Sequence, residues 1–360
     1  TRPRRSRRAE AMTPARPLPV PEQAADLTAG WLTAALGTPV AAVTATRIGA
    51  EQGFTGGALF RLTRPDGPPL VAKLAPADPA RRAAFAPLNA REVAFYAAPD
   101  PALPVPRCHF GAADPSTGAS VLLLEDLSAA RAMPYLDGLA APELVRTLTA
   151  LGTVHGRWWR SPALAALPPP AGLDHADFPA LWARYPEAVA RLMPGRVLSD
   201  RLRRLGDQLA ADPARLPGPG PHTLIHGDPQ PDNLRFGADG GPILLDWQFH
   251  GAGPFGWDLA YLLISGMTPE ARRRSEAAAL RAYRTALARA GGPDLSPDAL
   301  ARAMRRGVPG KLFATVFATV SFAADTPHKL AYRRADLDRL TAFLDDHAVT
   351  PAPWETADVP

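Results

Sequence analysis

A chain of 360 residues, of which 46% are hydrophobic, is long enough for one large or two medium globular domains with a sizeable buried core. Its formal net charge of +5 lies in residues 1–16, which hold six arginines and one glutamate, so the remaining residues are formally neutral. A single cysteine excludes an internal disulfide framework and a multi-cysteine zinc site, and no apolar run is long enough to span a bilayer. We therefore expect a cytoplasmic protein without a membrane segment.

The two ends of the sequence are predicted to be tails. Residues 1–25 are basic, contain several prolines and lack apolar periodicity, so we expect them to be disordered. Nucleic-acid binding through this segment is not expected, because such binding typically needs basic charge spread over a folded face with aromatic residues. Residues 351–360 are assigned to a C-terminal tail, and the sequence carries no signal for the oligomeric state.

Residues 26–127 are rich in strand patterns and are predicted to form a nucleotide-binding N-terminal lobe with five strands. Glycines and a Pro-Asp-Gly-Pro turn at 65–68 divide the chain into short apolar segments of strand length. The predicted elements, in chain order, are a helix at 27–36, short strands between 43 and 74, a helix at 87–98 and a buried strand at 121–124.

Residues 128–350 are predicted to form a larger, mainly helical C-terminal lobe that carries the catalytic loop and the substrate site. The two lobes would join at 127–129. Residues 224–247 interrupt the helical pattern with a strand, a loop and a hairpin that turns at Asp239-Gly240-Gly241. The remaining periodicity predicts a helix that begins near Pro142 and further helices at 178–192, 197–209, 269–290, 297–306, 311–324 and 335–343.

Two polar clusters within 224–248 carry the candidate chemistry. The first is H-G-D-P-Q-P-D-N, which contains Asp228 and Asn233, and the second is L-L-D-W-Q, which contains Asp246. Phosphoryl transfer needs a carboxylate that accepts the proton of the attacking hydroxyl, and hard oxygen ligands that hold magnesium on the phosphates. The loop between Asp228 and Asn233 and the following hairpin allow all three side chains to meet at one cleft.

This pattern resembles the kinase catalytic loop and metal-binding aspartate, with H-G-D in place of H-R-D and L-D-W-Q in place of D-F-G. Over residues 27–343 the sequence is similar to the aminoglycoside phosphotransferase and choline kinase superfamily, most closely to bacterial ecdysteroid kinase-like members. The resemblance implies an α+β, bilobal protein-kinase-like fold. Its N-lobe would be a small antiparallel sheet plus one helix, and its C-lobe larger and mainly helical.

The resemblance also implies a role for each candidate site residue. Asp228 would be the catalytic base, whereas Asn233 and Asp246 would bind Mg²⁺. Lys73 would hold the ATP phosphates and pair with Glu92. The remaining nucleotide-binding candidates are the glycine-containing loop residues Gly53, Phe54, Thr55 and Gly56 and the adenine-binding hinge residues Glu125 and Leu127.

Other residues near these motifs are interpreted as structural. Asp258, in a G-P-x-x-x-D-L-A pattern, is expected to hydrogen-bond to the catalytic loop, and His226 to brace that loop. Gly227 stands where protein kinases carry the arginine that reads a phosphorylated activation segment, so we expect an enzyme that is active without phosphorylation. His155 is expected in the core, and the candidates for substrate contact are Asp174, His175 and Asp177.

The expected activity is ATP- and Mg²⁺-dependent phosphorylation of a hydroxyl on a small molecule such as an antibiotic, sugar, nucleoside or other natural-product alcohol. From residue 251 onward the sequence holds twelve acidic against fourteen basic residues, which disfavours a polycationic substrate. The apolar and aromatic content of the C-terminal third slightly favours a hydrophobic one. A protein Ser/Thr kinase is an alternative, disfavoured by the missing A-P-E segment. A non-catalytic nucleotide-binding scaffold is another, disfavoured because all five site residues are retained.

Overall fold

The computed structural model describes residues 18–49, 57–97, 100, 102–169, 175–216 and 222–349. The strands are β1 (Thr44–Ile48), β2 (Ala58–Thr63), β3 (Leu70–Leu74), β4 (Cys108–Ala113), β5 (Ser120–Glu125), β6 (Arg131–Ala132), β7 (His222–Ile225), β8 (Leu234–Phe236), β9 (Pro242–Leu244) and β10 (Gly251–Pro254). The α-helices are α1 (Ala29–Leu36), α2 (Pro79–Ala97), α3 (Ala141–Arg157), α4 (Phe178–Leu192), α5 (Asp200–Ala211), α6 (Gly256–Ser265), α7 (Pro269–Arg289), α8 (Pro297–Ser321) and α9 (Pro327–Asp346).

The first part of the chain forms an antiparallel sheet with the strand order β1-β2-β3-β5-β4. Along β3 the residues Leu70, Ala72 and Leu74 are buried in a core shared with α1, which includes Trp31. Because side chains alternate across a strand, Lys73 must lie on the opposite face of the sheet. Strand alternation therefore directs the candidate phosphate-binding lysine away from the α1 core and towards α2.

The remainder of the described chain is mainly helical around a large hydrophobic core. Two short β-structures stand out within it, a β7–β10 pair and a sheet of order β6-β8-β9. Helices α6 and α8 approach so closely that a Cβ on Gly307 would lie 1.9 Å from the carbonyl oxygen of Gly256. The five-stranded antiparallel sheet and the helical remainder confirm the predicted architecture. None of the helices in the described ranges combines the length and apolarity that membrane crossing requires.

Several predicted helix boundaries were wrong. The predicted helix at 87–98 begins eight residues earlier, and Pro87 lies inside α2 although the sequence suggested a start there. The separate helices predicted at 297–306 and 311–324 are one helix, α8, with Pro309 in its interior. In both helices, tertiary packing outweighs the local helix-breaking tendency of proline.

Two further differences have identifiable physical causes. The helix predicted at 197–209 begins at Asp200, because the Ser199 side chain accepts a hydrogen bond from the Leu202 N–H and caps the helix there. Helix α6 was not predicted. All ten of its residues are buried, so its sequence shows no polar face from which helical periodicity could be recognised.

Candidate active site

The loop between β7 and β8 presents the candidate base, Asp228. Its first residues are held by Asp258 at the start of α6, whose carboxylate accepts hydrogen bonds from the backbone N–H groups of His226 (2.7 Å) and Gly227 (2.9 Å). The same carboxylate lies 3.2 Å from Nε2 of His155, and both side chains are fully buried. These contacts confirm that Asp258 hydrogen-bonds to the loop and that His155 belongs to the core.

Two further features determine the path of this loop. Nε2 of His226 lies 2.9 Å from the carbonyl oxygen of Leu245, which joins the loop to the residue before Asp246. His226 therefore braces the loop, as predicted. Gly227 has φ of +89°, and a Cβ there would lie 2.5 Å from the carbonyl oxygen of Phe249. A larger residue, such as the arginine of protein kinases, does not fit this backbone.

Asp228 is a buried carboxylate that keeps acceptor capacity. One oxygen, Oδ2, accepts hydrogen bonds from Nδ2 of Asn233 at 3.0 Å and from Nε2 of Gln230 at 3.2 Å. The other oxygen, Oδ1, has no donor in good hydrogen-bond geometry among the described residues, although the Tyr261 hydroxyl is near enough to lower the pKa of Asp228. Burial raises the pKa of Asp228 to about 7, despite opposing effects from Tyr261, Lys311 and Asn233. A carboxylate with a pKa near neutrality suits proton acceptance from an alcohol.

Lys73 on β3 connects the sheet to the second polar cluster. Its ammonium lies 2.7 Å from Oε2 of Glu92 on α2 and 2.8 Å from Oδ1 of Asp246. Burial by itself lowers the pKa of Lys73, but the two carboxylates outweigh it and the pKa ends well above its ordinary value. The pKa of Glu92 is raised to about 6, because burial outweighs the attraction of Lys73. One ammonium thus holds two carboxylates that repel each other.

Asn233 and Asp246 have the donor atoms that a magnesium ion prefers. Both hydrogen bonds of Asn233 to Asp228 use Nδ2, so its amide oxygen is the atom left for a ligand. The backbone carbonyl oxygen of Asn233 accepts a hydrogen bond from the Leu245 N–H at 2.9 Å, which places Asn233 beside Asp246. Asp246 adopts the left-handed conformation, with φ of 63°, and its side chain is 29% exposed to the cleft. A carboxylate and an amide oxygen at one cleft fit Mg²⁺.

The predicted nucleotide contacts are only partly described. Gly53, Phe54, Thr55 and Gly56 lie outside the described residues. At the hinge, the Glu125 N–H donates to the carbonyl oxygen of Arg107 and its side chain accepts from the Arg107 N–H, so both are used in joining β5 to the chain before β4. The Leu127 carbonyl accepts from Ala130, whereas its N–H has no partner within the described ranges.

The predicted substrate contacts are also only partly described. Asp174 lies outside the described residues, and of His175 only the backbone is described. Asp177 is exposed immediately before α4. Asp177 is not among the described residues that line the cavity beside Asp228.

Comparison with known proteins identifies the family. Residues 44–295 match the model of the phosphotransferase enzyme family, which is more than half of the sequence. The chain belongs to this family. The resemblance to aminoglycoside phosphotransferases and choline kinases is thereby confirmed, whereas closeness to ecdysteroid kinase-like members stays a prediction.

Solved structures share the fold of this phosphotransferase. A choline/ethanolamine kinase family protein from Mesorhizobium loti is 20% identical, with 84% of this chain and 88% of that chain covered and a TM-score of 0.50. A proposed aminoglycoside phosphotransferase from Ralstonia eutropha is 14% identical, with 89% of this chain and 96% of that chain covered and a TM-score of 0.54. A proposed fructosamine-3-kinase from Thermobifida fusca is 21% identical, with 88% of this chain and 98% of that chain covered and a TM-score of 0.50. At these identities the likeness establishes the fold alone. Curated protein sequences contain no match to the chain.

Asp228, Asn233 and Asp246 of the phosphotransferase open onto one cavity of about 420 Å³. Its other walls come from α2, α6, α8 and α9, and several wall residues were not predicted from the sequence. They include Gln230, Tyr261, Lys311, Phe317 and Asp336. Lys311 stands at the start of an apolar run, and no local pattern in the sequence separates it from a surface lysine. Only the packing of α8 against α6 directs it towards Asp228.

Proposed function

We propose that this phosphotransferase transfers the γ-phosphoryl group of ATP to a hydroxyl of a small molecule, with Mg²⁺ as cofactor. The observation that carries the proposal is the convergence on one cleft of a lysine paired with two carboxylates and a carboxylate–amide pair. Lys73 contacts Glu92 and Asp246, while Asn233 contacts Asp228. These groups come from four separate parts of the chain and match the requirements of phosphoryl transfer in type and number.

Asp228 is the proposed proton acceptor. The hydroxyl of the acceptor donates to its carboxylate, which has an unpaired oxygen and a pKa of about 7. As the acceptor oxygen forms its bond to the γ-phosphorus, the bond between that phosphorus and the leaving oxygen of ADP breaks, and the proton passes to Asp228. Asn233 and Gln230 hold the carboxylate in position through Oδ2. A covalent enzyme intermediate is not required.

Lys73, Asn233 and Asp246 are proposed to act on the phosphates. When bound, Mg²⁺ would neutralise part of the negative charge on the phosphate oxygens. Asn233 and Asp246 would hold it through their side-chain oxygens. The raised pKa of Lys73 keeps its ammonium charged at every relevant pH, so it would offer a constant positive charge. Glu92 fixes the position of that ammonium from the α2 side.

The hinge supports adenine as the base. The Leu127 N–H, which has no partner in the described part of the chain, would donate to the ring nitrogen N1. A carbonyl of the hinge would accept from the exocyclic amine, and Glu125 is the proposed source. Because the Glu125 N–H and side chain are already engaged with Arg107, its backbone oxygen is the group proposed for this contact.

A library screen tests the proposed function. The purified protein is incubated with ATP, Mg²⁺ and individual alcohols of different chemical classes, and ADP release is measured together with the mass of the product. The proposal predicts a product heavier by one phosphoryl group that requires Mg²⁺ and is lost in Lys73→Met. A phosphopeptide formed from a generic peptide substrate would favour a protein kinase instead. Absence of ADP release with every alcohol would favour a non-catalytic scaffold.

A further inference from the structure

The cavity beside Asp228 has a predominantly apolar and aromatic outer part. Phe85 from α2 stacks on Phe322, which follows α8, with ring centroids 6.4 Å apart, and Phe322 also meets Phe317 edge to face at 5.4 Å. Leu88, Ala314 and Ala318 continue this surface towards the catalytic loop. The side chains of Phe85, Phe317 and Phe322 are all partly exposed, so the aromatic wall is open to a ligand. A cavity of about 420 Å³ falls in the range that holds drug-sized molecules.

The carboxylates that line this cavity are already engaged. Asp246 pairs with Lys73 at 2.8 Å, and Asp336 pairs with the buried Lys311 at 2.7 Å. Asp232 has no ion-pair partner in the described part of the chain, but it accepts a hydrogen bond from the Tyr135 N–H at 2.9 Å, and burial raises its pKa, which disfavours the charged form. Asp228 is the remaining carboxylate among the described lining residues, and the proposed reaction uses it for the acceptor hydroxyl. A cationic ligand would therefore lose its hydration without gaining a carboxylate partner.

The three cationic side chains among the described lining residues, Arg91, Lys311 and Arg333, also have partners. The Arg333 guanidinium lies 5.6 Å from the centroid of the Tyr332 ring. The Lys311 ammonium also lies 4.5 Å from the centroid of the Tyr261 ring, so it has both an ion-pair partner and an aromatic face. The Arg91 guanidinium donates to the carbonyl oxygens of Pro169 (2.7 Å) and His250 (3.0 Å). The Lys311 charge is therefore balanced by Asp336, and the Arg91 guanidinium has backbone acceptors that hold it in place without an anionic ligand.

From these contacts we infer that the phosphoryl acceptor is an uncharged, predominantly apolar alcohol that packs against the Phe85–Phe317–Phe322 wall and presents its hydroxyl to Asp228. This inference depends on the proposed function in one respect only, the role of Asp228. Phe317 and Phe322 lie beyond residue 295, where the match to the family model ends. The wall that selects the acceptor is therefore largely built by a part of the chain that the family model does not cover.

Binding of a matched pair of fluorescent probes tests the acceptor class without depending on turnover. Anthracene-methanol is a neutral alcohol, and its aminomethyl counterpart has nearly the same shape but is cationic at neutral pH. Each is titrated into the full-length protein with Mg²⁺ and a non-hydrolysable ATP analogue, and fluorescence anisotropy is followed. The alcohol is expected to bind at least about tenfold more tightly, because the amine must bury an uncompensated charge.

Variants of the aromatic wall locate the bound probe. Phe317→Ala removes a large part of the apolar contact and is expected to weaken binding of the alcohol roughly tenfold. Phe85→Ala, on a different helix, is expected to act in the same direction. Phe317→Asp introduces an unpaired carboxylate and is expected to reverse the preference, so that the amine binds more tightly than the alcohol. Val197→Ala is the control, because this side chain is 71% exposed and is not among the cavity-lining residues.

Each outcome of this experiment either supports or contradicts the inference. Equal or tighter binding of the amine to the unmodified protein overturns it, and so does undetectable binding of both probes. Unchanged affinity for the alcohol in both Phe317→Ala and Phe85→Ala also overturns it. Tight, Phe317-dependent binding of the alcohol supports it even if no phosphorylated product forms with any alcohol. Tight binding of the alcohol without any phosphorylated product would contradict the proposed function but not the inference about the acceptor class. Failure of the inference can therefore be distinguished from failure of the proposed function.

Discussion

Replacement of Asp228 by asparagine should make the protein less active and more stable at the same time. The carboxylate is 8% exposed, and its burial raises its pKa from 3.8 to about 7. Asparagine keeps an oxygen for the hydrogen bonds from Asn233 and Gln230 but carries no charge. We expect turnover to fall by roughly two to four orders of magnitude, the range for loss of acid–base assistance. Nucleotide affinity should be nearly unchanged.

The gain in stability should depend on pH with a defined sign. A carboxyl whose pKa is higher in the folded than in the unfolded protein binds its proton more tightly when folded, so stability is lost as pH rises between the two pKa values. A shift from 3.8 to about 7 corresponds to about 4 kcal/mol in total. The stability advantage of Asp228→Asn should therefore grow by about 2 kcal/mol from pH 5.5 to about pH 8 and stay constant above that.

Urea denaturation of both proteins between about pH 5.5 and 8.5 measures this difference. All other titrating groups are shared, so the difference between the two free energies of unfolding isolates residue 228. In the active protein kcat/KM should rise about tenfold per pH unit towards pH 7 and then level off. A stability difference that stays constant across the whole range would refute the argument that Asp228 is a buried carboxylate with a raised pKa. Unchanged turnover in Asp228→Asn would remove it from the mechanism.

Three further predictions concern other parts of the site. Lys73→Met leaves Glu92 and Asp246 without their shared ammonium, so ADP release should fall at least about a hundredfold; near-normal turnover would exclude a role on the phosphates. Asp258→Ala leaves the N–H groups of His226 and Gly227 without their acceptor and should destabilise the fold by about 2–4 kcal/mol in urea denaturation. Unaltered stability would contradict the bracing role. Phosphatase treatment should leave turnover unchanged, because Gly227 cannot read a phosphorylated segment, and a collapse in rate would reject this hypothesis.

Local sequence patterns predicted the sheet and most of the helices. Strand alternation around Lys73 and helical periodicity in α3, α4 and α7 depend only on neighbouring residues, so they are visible without a structure. The errors fall where tertiary packing overrides local preference. Helix α8 continues through Pro309, and α6 is buried on every side, so neither has the local signature of its observed form.

The spacing of a few polar residues was enough to identify the candidate phosphoryl-transfer residues. The two polar clusters, one with Asp228 and Asn233 and one with Asp246, each follow an apolar strand, so the identity and order of these residues carry the chemical information. The spacing does not reveal the charge state of these residues. The raised pKa of Asp228 follows from its burial, and burial depends on helices that are distant in the sequence.

For this protein, the sequence by itself determined the family, the fold class and the residue types at the site, because these depend on short-range patterns. Only the tertiary structure decided the shape and polarity of the cavity beside Asp228. Phe85, Phe317 and Phe322 belong to separate segments, and no local signal joins them. The pairing of Lys311 with Asp336 is likewise a contact between α8 and α9. The proposed selection of the acceptor thus depends on contacts between segments, which become defined only when the chain has folded.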